Sequence, residues 1–520
     1  MEQYAIGSQD FKVLREGGYL YVDKTHFIPL LLQNGKYKFL ARPRRFGKSL
    51  FLSTLEYFFK GEKELFKGLS IENSDWDWGE FPVIKIDLNG GNYTTDGFLI
   101  EKLNNIINQC EKEYGVEIPK GEPSSRLENL IYILYSLKGK PVVILVDEYE
   151  KPVIDNLDNV SLLESNRNIL RGFYGVLKSL DRYLKFVFLT GVTKFGQMNV
   201  FSGLNNIRDI SMMPEFGPIC GFTKEELVKN FKEGIERIAF DKEISFEDTV
   251  NLLKENYDGY HFSRKCPDIY NPYSLINSFA DGRIGAYWAY SGTPLLLANL
   301  LRKNYYDLEK LDNVKADQER LMGVNNQFDD PVALFYQTGY LTIKTYDRET
   351  DLYTLGYPNR EVEHAFFKYL LPNFSGLNVM KSDSFMIQLN ESLTEGNPHK
   401  AMQLLEEFSA GISYDLIPIE ESERHFQYLL YIVIKLLSSR KDYIKAEEKT
   451  SDGRIDLLIA TKNYVYIIEI KCNKSAEDAL NQIKEKEYHL QFRNDHRKVF
   501  LIGVNYSTEK KRIDSFLIEK

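Results

Sequence analysis

Short apolar runs alternate with amphipathic stretches through the first 220 residues of the chain. The apolar runs have the length and the β-branched, aromatic composition of strands, whereas the stretches between them repeat apolar residues at helical spacing. The pattern predicts strands at residues 37–41, 83–88, 142–146 and 186–189, a fifth short strand at 210–213, and helices near 47–59, 97–113, 125–137 and 167–180. Strands alternating with helices are typical of βαβ units, so a parallel sheet is expected over residues 1–220.

The pattern becomes mainly helical after Cys220. Thr223 and Glu226 form a capping box, which predicts a helix that begins at once. Helical periodicity dominates much of 223–400, with a break at residues 257–260 and strand-like pairs around 334–343 and 351–355. This stretch is interpreted as a helical lid followed by a winged-helix-like or connecting region, over residues 221–404.

A third pattern begins near residue 405. Apolar residues at helical spacing predict a helix from about 423 to 438. Two β-rich runs, 453–459 and 464–471, then flank the polar residues 461–463, which is a hairpin signal. We therefore expect three regions, an α/β core at 1–220, the lid and connecting region at 221–404, and a second α/β domain at 405–520.

Composition and charge narrow the class of protein. The chain has 520 residues, 43% of them hydrophobic, and a net charge of −9, which argues against a generally basic nucleic-acid binder. Residues 421–520 nevertheless hold 19 Lys and Arg against 16 Asp and Glu, which is compatible with a polyanionic substrate. The four cysteines are scattered and no signal-peptide or membrane-spanning pattern is found, so a cytoplasmic protein without a membrane partner is expected.

Residues 42–49 carry the first candidate chemistry. Gly47, Lys48 and Ser49 stand between a predicted strand and a predicted helix, where backbone N–H groups, an ammonium and a hydroxyl can hold phosphates and Mg²⁺. Arg42 occupies the position where the general motif has glycine, so a differently shaped loop is expected. Arg44 and Arg45 are candidates for phosphate contacts, and a solvated loop explains them about as well.

Two further predicted strands complete a nucleotide site. The strand at 142–146 leads into Asp147, a candidate Mg²⁺ ligand through water, and Glu148, a candidate for polarising the attacking water. The strand at 186–189 ends at Thr190, which we expect to act as a polar sensor of the γ-phosphate. The sequence thus predicts ATP binding and, with it, hydrolysis.

The second candidate chemistry lies in the C-terminal hairpin. Glu469 and Lys471 are two residues apart on one strand and therefore project from the same face. With Asp456 from the preceding strand, the two carboxylates can hold a divalent cation and the lysine can orient or deprotonate a water. The alternative for a lone Glu-x-Lys pair is an unremarkable surface pair on an edge strand.

The motif of Asp456, Glu469 and Lys471 resembles the active-site pattern of the PD-(D/E)XK nuclease-like superfamily. The helix at 475–483 strengthens the match, and the resemblance implies accessory roles for Gln482 and Tyr488. The whole chain resembles bacterial proteins in which an AAA-like ATPase is fused to such a domain, and in that family the arginine-rich form of the phosphate loop is usual. Residues 21–25, 201–206 and 257–260 resemble other segments of the family.

These observations predict an ATP-binding, ATP-hydrolysing protein with a Mg²⁺-dependent nuclease domain that cleaves phosphodiester bonds in nucleic acid, DNA above all. The alternative is a nucleotide-controlled switch whose nuclease-like domain binds DNA or a protein partner without cutting. The three charged positions of the motif are all retained, which favours catalysis. A homo-oligomer is compatible with the AAA resemblance, although no sequence feature fixes an oligomeric state.

Overall fold

A computed structural model describes residues 3–76, 78–194, 206–288, 297–298, 301, 308–323, 331–412, 422–438, 448–450, 453–455 and 457–520. The chain divides into two compact units. The first comprises residues 1–293 and 310–361, and the second comprises residues 294–309 and 362–520.

A five-stranded, wholly parallel sheet forms the centre of the first unit. Its spatial order is β2-β3-β4-β1-β5, from the strands β1 (Tyr37–Ala41), β2 (Val83–Asp87), β3 (Val142–Asp147), β4 (Leu184–Gly191) and β5 (Arg208–Asp209). The four longer strands confirm the sequence prediction. The fifth short strand, predicted around 210–213, is present but lies two residues earlier, at Arg208–Asp209. The Ile210 N–H still donates to the Phe39 carbonyl, and the Asp209 carboxylate then accepts a hydrogen bond from the Ser211 N–H where the strand ends.

Helices cover both faces of this sheet. They are α1 (Phe11–Glu16), α2 (Phe27–Leu31), α3 (Lys48–Phe59), α4 (Phe98–Tyr114), α5 (Pro123–Lys138), α6 (Lys151–Ile154) and α7 (Val160–Ser179). Helix α7 begins seven residues before its predicted start, since the Asn159 side chain caps the Leu162 N–H. Short 3₁₀ helices lie at Lys63–Phe66, Asp181–Tyr183, Pro214–Ile219, Leu308–Leu311 and Leu490–Phe492.

The rest of the first unit contains much of the region predicted as lid and connecting region, 221–404, whose last part, 362–404, belongs to the second unit. It contains α8 (Lys224–Asn230), α9 (Lys232–Lys242), α10 (Phe246–Tyr257), α11 (Pro272–Asp281), α12 (Gln318–Met322) and α13 (Val332–Thr338), with a three-stranded sheet of order β6-β8-β7 from Val314–Ala316, Leu352–Gly356 and Thr342–Asp347. The capping box of Thr223 and Glu226 is present. The order β6, α12, α13, β7, β8 is that of a winged-helix-like module.

One strand expectation in this region is wrong. Residues 334–343 were expected to be strand-like, but 332–338 form helix α13 and only Thr342–Asp347 is a strand. Gly339 at φ 88° ends the helix, and a residue with a side chain rarely adopts that conformation. Helix α13 buries residues on several sides. Its sequence therefore lacks the one-sided apolar pattern of a surface helix and resembles that of a buried strand.

The second unit packs helices against a four-stranded sheet. The helices are α14 (Arg360–Ser375, of which Arg360 and Glu361 belong to the first unit), α15 (Val379–Thr394), α16 (Pro398–Ala410), α17 (Ser422–Ser438) and α18 (Ala476–Glu485). The sheet order is β11-β12-β13-β14, from Leu457–Ala460, Tyr464–Cys472, Lys498–Ser507 and Arg512–Glu519, and Glu448–Thr450 (β9) pairs with Gly453–Ile455 (β10). The predicted helix at 423–438 and the predicted hairpin around residues 461–463 are confirmed.

The sheet of the second unit is covered on both faces. The Tyr466 hydroxyl donates to the Leu393 carbonyl of α15 on one face. On the other face α18 packs Leu480 and Ile483 against Val465 and Ile467. None of the helices described in the structure is both long enough and apolar enough to span a membrane.

Candidate nucleotide and nuclease sites

The phosphate-loop candidate lies between β1 and α3. Gly47 is the N-cap of α3 with φ 91°, so the loop takes a left-handed turn immediately before Lys48. Arg45 is also left-handed, at φ 68°. A non-glycine residue in this region carries backbone strain, and such strain is concentrated at functional sites.

A cavity of about 360 Å³ opens at this loop. Its phosphate-loop wall is formed by Arg44, Arg45, Gly47, Lys48 and Ser49, and Glu148 after β3 also faces it. The opposite wall is apolar and comes from the N-terminal segment and the lid helices, with Tyr4, Leu20, Val22, Phe222, Phe231 and Ile276 among its residues. A space with one cationic, helix-N-terminal end and one apolar, aromatic end has the chemistry to hold a nucleotide.

Lys48 is buried at this loop. Its Nζ donates to the carbonyl oxygens of Arg42 and Pro43 at 3.0 Å each. Burial lowers the pKa of Lys48, and the charges of Asp147, Glu148 and Glu150 oppose that effect. Burial likewise raises the pKa of Glu148, with Lys48 opposing it. The ammonium and these three carboxylates therefore form one electrostatic cluster at the ends of β1 and β3.

Asp147 and Thr190 lie at the ends of adjacent strands. The Thr190 hydroxyl donates to Asp147 Oδ1 at 2.6 Å, and the Glu148 N–H donates to the same oxygen at 3.1 Å. Both residues are buried, Thr190 completely, and neither is among the residues that line the cavity. The structure thus brings Thr190 to Asp147, whereas Glu148, at φ 50°, turns towards the cavity.

Arg42 was expected to change the shape of this loop, but the sequence reasoning missed its role as an anchor. It is buried, and its guanidinium donates to the carbonyls of Ala41, Ser211 and Phe216 at 2.8 Å each while lying 4.1 Å from the centre of the Phe262 ring. The arginine at the motif's glycine position therefore holds the loop in place through these contacts. Arg42 fastens the start of the loop to the chain that leads into the lid.

The family-like segments at 21–25 and 257–260 also join parts of the first unit. Lys24 is buried and forms an ion pair with Glu226 of α8 at 2.6 Å. Tyr260 packs edge-on against Phe46 of the phosphate loop, with ring centres 4.7 Å apart. These segments connect the cavity at the phosphate-loop candidate to the lid. The segment at 201–206 lies outside the described residues except for Asn206.

The nuclease candidate lies near the end of β12. Glu469 is 1% exposed, and its Oε1 accepts a hydrogen bond from Lys471 Nζ at 3.1 Å and another from Gln482 Nε2. The Lys471 side chain is 22% exposed, so it joins the buried carboxylate to the solvent. Three predicted residues therefore meet on one face of the sheet.

The packing of α18 explains how Gln482 reaches Glu469. Gly503 of β13 lies beside Glu469 in the parallel register, and a Cβ at that position would come within 2.2 Å of the Ala476 carbonyl. Glycine therefore permits α18 to lie close to the sheet. Tyr488 is buried in the apolar cluster between α18 and the sheet, which places its ring in the core of this unit. The sequence signal for the close approach was a single glycine within an otherwise bulky strand.

Asp456, the third predicted nuclease residue, lies outside the described residues. The described part of β11 begins at Leu457, which pairs with Ile468, the residue before Glu469. Within the described ranges, no cluster of three or more His, Cys, Asp or Glu side chains forms a metal site. Among the described residues of the nuclease candidate, the Glu469 carboxylate could bind a metal ion. It is a hard oxygen ligand of the kind that Mg²⁺ prefers.

The fold and the two sites define a protein with an ATPase-like α/β domain and a nuclease-like C-terminal domain. Residues 5–201 match the family model described as predicted AAA-ATPase, and residues 421–516 match the PD-(D/E)XK nuclease superfamily. The chain belongs to the family of proteins that fuse these two domains. It is 33% identical over 525 residues to a protein of Azotobacter chroococcum mcd 1 described as an uncharacterized protein in the vnfD 5′ region, covering 99% of this chain and 98% of that protein.

The chain also has a distant likeness to a solved structure, that of the Aeropyrum pernix ORC1 protein in complex with DNA. The two share 10% sequence identity with a TM-score of 0.23, over 69% of this chain and 97% of the other. That score is too low to support any statement about this chain.

Proposed function

We propose that this protein binds and hydrolyses ATP and that its C-terminal domain is a Mg²⁺-dependent nuclease that cleaves phosphodiester bonds in DNA. The observation that carries the proposal is the meeting of Glu469, Lys471 and Gln482 on one sheet face, in a chain whose family joins an ATPase-like and a nuclease-superfamily domain. An ordinary surface pair would leave both side chains exposed, whereas here a partly exposed amine contacts a buried carboxylate.

At the nuclease site each residue has a proposed role. Glu469 and Asp456 would hold Mg²⁺, which supplies charge stabilisation and an activated water at the phosphate. Gln482 fixes the rotamer of Glu469 by donating to its Oε1, and Lys471 orients the attacking water from the solvent side. Charge-assisted hydrogen bonds of this kind hold a carboxylate in place more firmly than neutral ones.

At the ATPase site the residues of the phosphate loop bind and those of β3 act on water. Lys48 and the N–H groups at the start of α3 would bind the β- and γ-phosphates, with Arg44 and Arg45 supplying additional positive charge at the cavity wall. Ser49 and Asp147 would hold Mg²⁺, directly and through water. Glu148, whose pKa is raised by burial, faces the cavity and would accept the proton of the attacking water.

The test of the nuclease assignment is cleavage of plasmid and single-stranded DNA with Mg²⁺ or Mn²⁺, with and without ATP. Glu469→Ala and Lys471→Ala should each lower the cleavage rate by at least about 100-fold, as loss of a proton-transferring or water-orienting group does. Lys462→Ala, an exposed lysine in the turn before β12, is the matched control and should cleave like wild type. Equal cleavage by Lys471→Ala would refute the assignment.

The same assay separates the alternative function. A wild type that binds DNA and hydrolyses ATP but cleaves nothing with either metal would establish a nucleotide-controlled switch in place of a nuclease. Lys48→Ala should weaken ATP binding by about 10- to 100-fold, because a charge-assisted hydrogen bond contributes about 1.5–3 kcal/mol. Unchanged ATP affinity in that variant would refute the phosphate-loop assignment.

A further inference from the structure

The residues that follow β4 are held in an unusual way. Three consecutive backbone N–H groups, those of Val192, Thr193 and Lys194, donate to side chains in place of a neighbouring strand or helix. The first two donate to Glu150 Oε1, at 2.5 and 3.1 Å, and the third donates to Gln337 Oε1 at 2.7 Å. The position of residues 192–194 therefore depends on Glu150 and Gln337.

Glu150 stands three residues after Asp147 and is 3% exposed. A Cβ on Gly191 would come within 2.2 Å of Glu150 Oε2, so the carboxyl group lies directly against the end of β4. Burying a carboxyl group is unfavourable unless its oxygens are hydrogen-bonded, and Oε2 has no hydrogen-bond partner among the described residues. A residue retained at such a cost is a candidate for a functional role.

The contacts of Glu150 lie next to the proposed catalytic acids. The neighbouring Tyr149 hydroxyl donates to the Thr193 carbonyl at 2.9 Å, which gives a second link between the end of β3 and the segment after β4. Thr190, just before that segment, donates to Asp147. Moving the end of β4 would therefore also move the oxygen of Asp147 that receives the Glu148 N–H.

Gln337 extends this arrangement into the winged-helix-like module. It lies on α13, is 8% exposed, and donates from Nε2 to the Leu321 carbonyl of α12 at 2.8 Å. Both ends of its amide are thus engaged, one by α12 and one by the segment after β4. Gly339, which ends α13, packs against Pro43 of the phosphate loop, since a Cβ there would lie 2.7 Å from the Pro43 ring.

We propose that Glu150 is a positioning residue of the ATPase site, and that Gln337 is its second support from the winged-helix-like module. Glu150 holds the end of β4 against the acidic end of β3, so that Thr190, Asp147 and Glu148 keep the geometry needed for hydrolysis. Gln337 attaches the same segment to α13. The inference rests on the proposed ATP hydrolysis and assigns residues that act through the catalytic ones without touching ATP.

Glu361 offers a matched control for a purely structural role. It is 5% exposed, lies in the same unit, and accepts hydrogen bonds from two consecutive backbone N–H groups, those of Tyr287 and Trp288. Burial raises the pKa of both Glu150 and Glu361 to about 7, so the two carboxyl groups are alike in environment. Glu361 does not line the nucleotide cavity.

The experiment compares Glu150→Ala, Glu150→Gln and Glu361→Ala in the full chain, with ATP affinity, kcat and melting temperature measured for each. We expect Glu150→Ala to lower kcat by about 10- to 100-fold while ATP affinity changes less than about threefold, because the group acts on the transition-state geometry and not on binding. Glu150→Gln keeps an acceptor oxygen and should recover most of kcat. Glu361→Ala should lower the melting temperature and leave kcat unchanged.

A second measurement keeps the proposal testable if Glu150→Ala fails to fold. Gln337→Met preserves the shape of the side chain without its hydrogen bonds, and it should lower kcat while ATP affinity changes less than about threefold, because it releases the same segment from α13. A wild type without ATP turnover would overturn the proposed function and this inference together. A wild type that turns over, with kcat unchanged in Glu150→Ala, or in Gln337→Met where Glu150→Ala does not fold, or lowered equally in Glu361→Ala, would overturn this inference alone.

Discussion

Arg42 connects residues that are far apart in the sequence. Its guanidinium bonds Ser211 and Phe216, 169 and 174 positions away along the chain. Burying a guanidinium is costly unless oxygens accept from its donors, and here four carbonyls accept from Nη1 and Nη2, those of Ala41, Ser211, Phe216 and, at 3.4 Å, Gly217. In the general motif, the backbone freedom of glycine at this position sets the shape of the loop. In this chain the contacts of an arginine set it instead.

Replacement of Arg42 by lysine should destabilise the first unit. A lysine keeps the charge, but its donors radiate from one atom and cannot serve carbonyls on separate sides, nor can it lie flat on Phe262. We expect a loss of about 2–4 kcal/mol in the free energy of unfolding, measured by urea denaturation. ATP affinity should fall with it, because the loop loses its anchor.

Arg264→Lys is the matched control for this substitution. Arg264 is exposed and lies 5.6 Å from the centre of the Tyr346 ring, so both arginines stack on an aromatic residue. An exposed cation–π contact contributes about 0.5–1 kcal/mol, and the lysine variant should lose no more than that. Equal losses in the two variants would show that the carbonyl contacts of Arg42 contribute little.

Site residues whose arrangement follows from their spacing in the sequence could be predicted. Site residues whose contacts join segments far apart in the sequence could not. Glu469 and Lys471 were placed on one face because alternation along a strand is a local rule. The contact of Glu150 with residues 192 and 193 joins segments 42 and 43 positions apart, and no local pattern encodes it. Glu150 was therefore absent from the predicted site, although it stands two positions after Glu148.

At the scale of elements, the nuclease candidate depends on how closely α18 approaches β13. Gly503 is the contact point, where a Cβ would meet the Ala476 carbonyl at 2.2 Å and the Leu480 nitrogen at 2.6 Å. Both are backbone atoms, so a side chain at residue 503 cannot be accommodated by a rotamer change. The helix as a whole would have to move.

Gly503→Ala should therefore impair both stability and the proposed cleavage. Moving α18 outward withdraws Gln482 from Glu469, and we expect the rate of DNA cleavage to fall by more than about tenfold. Overpacking of this kind costs about 1–3 kcal/mol in the free energy of unfolding. Gly411→Ala in the same unit is the control, since its Cβ would meet the Glu407 carbonyl at 3.4 Å, an ordinary contact. Wild-type cleavage by Gly503→Ala would contradict this account of the site.

The elements were predicted best where burial is one-sided or where long apolar runs exclude alternatives. Strand β3 was predicted to within one residue, because its side chains are all buried and are mainly β-branched. Helix α13 was misread, because it is short and has no exposed residue to show a helical period. Its direction and end are decided by Gly339 and by packing against Pro43, which are features of tertiary structure.

At the scale of the molecule, the chain passes between its two units three times, at residues 293–294, 309–310 and 361–362. The candidate nucleotide cavity lies wholly in the first unit, and the nuclease candidate lies wholly in the second. The proposed binding of ATP should therefore stabilise the first unit directly. Any effect on the second unit must be transmitted from the first.

Calorimetry with a non-hydrolysable ATP analogue tests this division. At about 100 times its dissociation constant, a ligand that binds only the folded form adds about 2.7 kcal/mol to the free energy of unfolding. We expect the transition of the first unit to move to higher temperature while that of the second unit remains in place, and the shift of the first unit should fall to about half or less in Lys48→Ala at the same ligand concentration. A shift confined to the second unit would place nucleotide binding outside the cavity. Movement of both transitions together would mean that the units unfold cooperatively, and ATP occupancy would then stabilise the nuclease domain as well as the ATPase.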